Sequence, residues 1–174
     1  MKKFLAAVFF GAVVLTSVSA NAILIEPFIG WQTGDFELGN AATKDVDGIE
    51  FGGRLGITFV EVFNIGGEFS KGTLSDDDSP STDYDTTDAG IFFSFEFPIL
   101  VRAYATYFLS SVADPDSGQK FEGDGGFRLG IGFTGLPFVS INIEQILRKY
   151  DERGSSSVDL EIKTTMIGIS VPLP

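Results

Sequence analysis

The sequence predicts an all-β protein, an eight-stranded antiparallel up-and-down transmembrane β-barrel. Three observations predict it. An apolar leader opens the chain, eight segments alternate in polarity with a period of two, and short connections interleave strictly with long polar ones. Period two is the signature of a strand, whose successive side chains point to opposite faces. No segment sustains a helical period over a useful length.

Residues 1–20 read as a secretory signal peptide. Lys2 and Lys3 supply a basic start, and Phe4 to Leu15 form an apolar stretch too short to span a bilayer comfortably. Val18-Ser19-Ala20 and Ala20-Asn21-Ala22 are both small-residue cleavage sites, and cleavage after Ala20 is preferred over Ala22. Residues 21–174 then form one barrel domain, a length that suits a single domain. The chain contains no Cys, so neither a lipid anchor on cysteine nor a disulfide is available to it. The net charge of −12, more negative still without the two leader lysines, leaves no basic patch for nucleic acid. Yet the chain carries 18 Phe. High charge and high aromatic content in one chain imply that the two are sorted onto different surfaces.

The segments follow in order. Over 23–35, Ile23, Ile25, Pro27, Ile29 and Trp31 oppose Glu26 and Gly30. Over 48–60, Phe51, Leu55, Ile57 and Phe59 oppose Glu50 and Arg54. Over 62–74, Ile65 and Phe69 oppose Glu68, and over 86–97, Ile91, Phe93, Phe95 and Phe97 oppose Glu96. Over 100–112, Val101, Tyr107 and Leu109 oppose Arg102, and over 121–134, Phe127, Leu129 and Ile131 oppose Asp124 and Arg128. Over 138–150, Val139, Ile141 and Ile143 oppose Glu144 and Arg148, and over 158–172, Ile167, Ile169 and Val171 oppose Gly168 and Ser170. Short links fall at 60–62, 98–99 and 135–137, and long polar links at 36–47, 75–85, 113–120 and 151–157. An up-and-down membrane barrel has this layout of tight periplasmic turns and longer extracellular loops.

Rolled with its apolar face inward, the sheet becomes a soluble ligand-carrying barrel; rolled outward, it becomes a membrane barrel with a polar lumen. The polar face decides for the membrane. It is sparse, rich in Gly, and holds arginine without lysine, and the planar guanidinium suits enclosed pairing with several carboxylates. The expected lumen network is Glu26, Glu50, Arg54, Glu68, Glu96, Arg102, Asp124, Arg128, Glu144 and Arg148, with glycines leaving room for the long side chains. Trp31 and Tyr107 fall on the lipid face as an interfacial girdle, and Tyr104 and Tyr150 face inward.

The stretches EPFIGWQTGDF, FNIGGEFSKG, VRAYATYFL and GFRLGIGFTGLPF resemble those of the small eight-stranded outer-membrane barrels of the OmpA/OmpX-like kind, grouped as the outer-membrane β-barrel domain or porin family. The resemblance covers nearly the whole mature chain and speaks to architecture. It implies residence in a Gram-negative outer membrane, contact with outer-membrane lipid, and insertion by the barrel assembly machinery. Barrels of this class usually end in an aromatic residue, whereas this chain ends GISVPLP. No domain follows the barrel, so a peptidoglycan-anchoring role is not implied.

Chemistry has little purchase. Without His or Cys there is no Ser-His or Cys-His pair and no ordinary zinc site, and no cofactor is expected. Glu50, Glu68, Glu96 and Glu144 could serve acid–base chemistry, but pairing with lumen arginine is the expected use of each. Asp76, Asp77, Asp78, Asp83 and Asp85 are weak candidates for a divalent cation, since they lack the glycine and terminal glutamate of a helix–loop–helix calcium loop. The expected function is therefore non-enzymatic: an integral outer-membrane barrel protein that supports envelope structure and displays its loops, its lumen closed by an Arg/Glu network. A narrow channel for small solutes or ions and a loop-mediated adhesin or receptor are the alternatives. The extracellular partner is open.

Overall fold

A computed structural model describes residues 23–39, 43–59, 62–76, 82–154 and 156–173. The leader and its cleavage site lie outside the described residues. The strands are β1 (Ile23–Leu38), β2 (Lys44–Phe59), β3 (Phe63–Asp76), β4 (Asp83–Phe97), β5 (Val101–Pro115), β6 (Phe121–Gly123), β7 (Gly125–Leu136), β8 (Val139–Arg153) and β9 (Ser156–Ser170). Both β6 and β7 lie between β5 and β8, so the two form one interrupted stave and the barrel has eight. Each stave pairs antiparallel with its sequence neighbours, and β1 closes on β9 through registers such as Trp31↔Ile167. Closure leaves no edge strand unpaired.

The two rims differ. At one, the first and last described segments meet in an Ile25↔Leu173 bridge, and tight turns cross at Pro98–Leu100 and Pro137–Phe138. Leu100 and Phe138 take positive φ angles of 61° and 66°, which a turn this short imposes. This is the turn end. The other, the loop end, carries the connections expected to be long.

Those connections are shorter than the sequence suggests. The ladder runs on through Asp35↔Asp45, Ser75↔Asp83 and Arg153↔Ser156. The reason lies inside. Phe36, Val46, Leu74, Tyr84, Phe121, Tyr150, Leu160 and Ile162 form a buried cluster at the loop end. They share the inward parity of the lumen residues, while Asp35, Asp45, Thr73, Asp85 and Lys163 face outward. Alternation continues along β1, β2, β3 and β9 while the polarity of the faces inverts part-way along. Over one length it is built for lipid outside; over the next it is built like a water-soluble barrel, and burial of the apolar cluster stabilises the extension.

The membrane-facing length shows an apolar band. Ile29, Phe51, Leu55, Ile91, Leu129 and Ile167 are each about half exposed, far more than a protein in water would leave uncovered. Two irregularities sit side by side in the wall. The register slips between Ala89 and Gly90, where Leu109 and Ser110 both face out of β5 as a bulge. On the neighbouring stave, the break at Asp124 shifts the alternation by one residue, so that Phe121 and Arg128 both face inward.

Candidate functional site: the charged interior

Strand alternation delivers nine charged side chains to the middle of the barrel, and pairing follows from the barrel's width. They interlock as one zigzag. Arg148 Nε donates to Asp88 Oδ2 at 2.8 Å, and its Nη2 donates to Glu50. The Glu50 carboxylate also accepts from Arg128, whose Nη1 donates to Glu144 Oε2 at 2.8 Å. Arg54 donates to Glu144 at 3.1 Å and, through Nε, to Glu68 at 2.6 Å. Arg54 Nη1 lies 3.5 Å from Glu26, which takes both terminal nitrogens of Arg102 in a bidentate pair. Glu26, Glu50, Glu68 and Glu144 each meet two arginines. Arg54, Arg102, Arg128 and Arg148 are fully buried.

Neutral groups take some of the remaining positions. Tyr104 donates its hydroxyl to Glu144, and Thr106 Oγ1 donates to Glu68 Oε2 at 2.9 Å. Gln32 Oε1 accepts from Arg148 at 3.2 Å and from Thr164 Oγ1 at 2.9 Å. Toward the turn end, Asn64 donates to Ser94 at 2.9 Å and Asn142 donates to Ser170 at 2.9 Å.

The interior is less polar than the sequence pattern implies. Leu24, Phe92 and Tyr104 form one buried cluster, and Phe28, Phe108, Ile146 and Met166 another. The guanidiniums lie against these rings: Arg54 is 4.6 Å from the Phe28 centroid and 4.3 Å from that of Tyr104, and Arg128 is 5.1 Å from Phe28. Ring faces attract cations most strongly where water is excluded. The glycines answer to this filling. A Cβ on Gly52 would stand 2.6 Å from Phe28 Cζ, and one on Gly30 would stand 2.7 Å from Met166 Cγ. They make room for rings, thioether and crossing backbone as well as for arginine.

Two residues expected in the network lie outside it. Asp124 is exposed, because the break between β6 and β7 falls on it and turns it out of the lumen. Glu96 is half-buried near the turn end, opposite Arg102 in register, where it accepts a 3.4 Å hydrogen bond from Asn64. Asp88 belongs to the network although the expected set does not include it. Its parity with Gly90, Phe92 and Ser94 on β4 was the available signal.

The girdle residues face outward: Trp31 is 50% exposed, Tyr107 56%. Trp31 Nε1 donates to Asp47 Oδ2 at 3.3 Å, at the upper limit of the apolar band. Tyr104 and Tyr150 are buried in the interior.

The described part of the acidic stretch is divided between the two faces of the sheet. Asp76 turns inward, meets Lys44 at 3.2 Å and accepts the Thr82 N–H at 2.8 Å. Asp83 and Asp85 take the opposite parity and accept from Ser75 and Thr73 across the ladder. Strand pairing therefore splits the described carboxylates over two faces, where they do not converge on one cation. Asp77 and Asp78 lie outside the described residues. On the outer face of the loop end, hydrogen bonds from Lys149 and Lys163 hold the Glu161 carboxyl below the usual glutamate range, and Glu37 raises Lys163.

Comparison with known proteins agrees with this geometry. No family model matches the chain, and no curated protein matches it in sequence. Solved structures do match. The attachment invasion locus protein Ail of Yersinia pestis superposes with a TM-score of 0.61 at 14% identity, covering 86% of this chain and 98% of that one. Neisserial surface protein A superposes with a TM-score of 0.59 at 14% identity, covering 88% of this chain and 99% of that one. Closed in eight antiparallel staves, apolar without and charged within, the chain has the fold of the small eight-stranded outer-membrane β-barrels.

Proposed function

We propose that this is a non-enzymatic integral protein of a Gram-negative outer membrane. It supports the envelope and presents its acidic loop end to the outside, with a lumen closed by the arginine–carboxylate network. One observation carries the reading: four fully buried arginines interlocked with five carboxylates, under an apolar cluster that fills the loop end. Charges with this many mutual partners serve as structure, and none of the glutamates offered for acid–base work is free of a hydrogen-bonded partner. The short turns face the periplasm, as the architecture requires. Outer-membrane lipid covers the apolar band, and the barrel assembly machinery inserts the chain.

A second reading, an adhesin or receptor, is favoured by the loop end itself. Strand pairing holds it as a stiff extension carrying Asp35, Asp45, Asp83 and Asp85 outward. The neighbour Ail is named as an attachment invasion locus protein.

Fractionation of expressing cells tests the location. The protein is expected in the outer-membrane pellet after detergent separation, migrating faster unboiled than boiled. Recovery in the periplasmic supernatant would contradict the proposal.

A further inference from the structure

At the loop end the apolar interior opens into a cup of about 260 Å³. Rings form its floor. The Phe36 and Tyr84 centroids are 5.2 Å apart, and Phe121 stands edge-on to Phe36 at 6.5 Å. Thr82 and Ser117 add hydroxyl groups to the lining. Arg153 lines the same cup, its guanidinium 4.9 Å from the centroid of Phe121, its register partner.

Arg153 differs from its neighbours in pairing. Lys44 meets Asp76, Lys120 meets Asp114, Lys149 meets Glu161, and Lys163 meets Glu37. Among the described residues, Arg153 makes no ion pair, in a chain with 24 acidic and 12 basic side chains. Stacking on a ring restrains the guanidinium and leaves its planar set of donors for a ligand. A carboxylate is the group that such a fork binds with two parallel hydrogen bonds. The volume, below the range of drug-sized pockets, admits roughly one ring with its substituents.

We propose that this cup binds a small cyclic carboxylate, its ring on Phe36, Tyr84 and Phe121 and its carboxylate on Arg153. The same chemistry comes from two sources, a free aromatic acid or an acidic sugar. Only the ligand's access from outside the cell rests on the proposed orientation; binding by the purified barrel does not.

The test is an NMR titration of the isotope-labelled, detergent-refolded barrel. The probes are benzoate, glucuronate, benzyl alcohol and benzylamine. Benzoate or glucuronate is expected to shift the backbone amides of Phe36, Tyr84 and Phe121 saturably, and the acid that binds assigns the source. R153Q should weaken that binding about tenfold or more, and R153K, which keeps the charge without the fork, should fall between. R153K also carries the test should R153Q fail to refold. The proposal is overturned if neither acid gives a saturable shift at millimolar concentration. It is equally overturned if benzyl alcohol or benzylamine binds as well as benzoate, or if both Arg153 variants bind like the parent.

Discussion

Arg54→Ala is expected to lower the stability of the refolded barrel by about 3–5 kcal/mol, because removing one partner leaves buried charge uncompensated. Arg54 is fully buried and faces three carboxylates at 2.6 Å, 3.1 Å and 3.5 Å. Its loss would leave Glu68 and Glu144 with Arg128, and Glu26 with Arg102, as their remaining arginines. It would also remove the cation stacked on Phe28 and Tyr104. The unfolding midpoint in urea measures the effect, and Trp31, the only tryptophan, reports it from the outer wall. A control separates charge from packing. Arg102→Met alone leaves Glu26 with only Arg54, 3.5 Å away; combined with Glu26→Gln it removes both members of the bidentate pair, and the double variant should lose less than the single one. An unchanged midpoint in Arg54→Ala would show that the network carries no stability.

Gly66→Val is the second large effect. Gly66 on β3 lies opposite Gly56 on β2, where the inner wall brings the two backbones together. A Cβ at Gly66 would stand 2.5 Å from Gly56 Cα and 2.7 Å from the Leu55 carbonyl carbon. Backbone on a closed ladder cannot move aside as a flexible side chain can. Overpacking of this kind costs about 3 kcal/mol or more, enough here to suppress the folded, fast-migrating gel band. The adjacent Gly67 provides the contrast. It faces the membrane, where the nearest atom to its Cβ is the Gly90 carbonyl oxygen at 3.9 Å. Gly67→Val should fold like the parent, and equal behaviour of the two variants would contradict the steric account.

How far the sequence could be read follows from what alternation does and does not encode. Parity over strands such as 48–60 placed Glu50 and Arg54 inward beside Phe51 and Leu55 outward, because period two needs only local information. It could not name the partners: Arg148 and Glu50 are 98 residues apart, and only barrel closure brings them together. Parity also fails silently at an insertion. Asp124 sits at the break between β6 and β7, and counting across it put an exposed carboxylate in the lumen. The loop end was misread for another reason. Phe36, Val46, Leu74 and Tyr84 continue the inward set, but the rule that lipid-facing strands are apolar outside made their surroundings look like loops. Asp88 lies within 86–97, a stretch that alternation assigns to a strand, and its parity with Gly90 and Phe92 is the signal that places it in the lumen.

We infer that the arginine–carboxylate network shuts the barrel. Conductance of the refolded barrel in a planar bilayer tests it most directly, with folding confirmed by the gel shift. The parent chain is expected to leave the bilayer silent. Steady, discrete openings whose size changes in Arg54→Ala and Arg102→Ala would contradict it, and would make the charged interior a pathway.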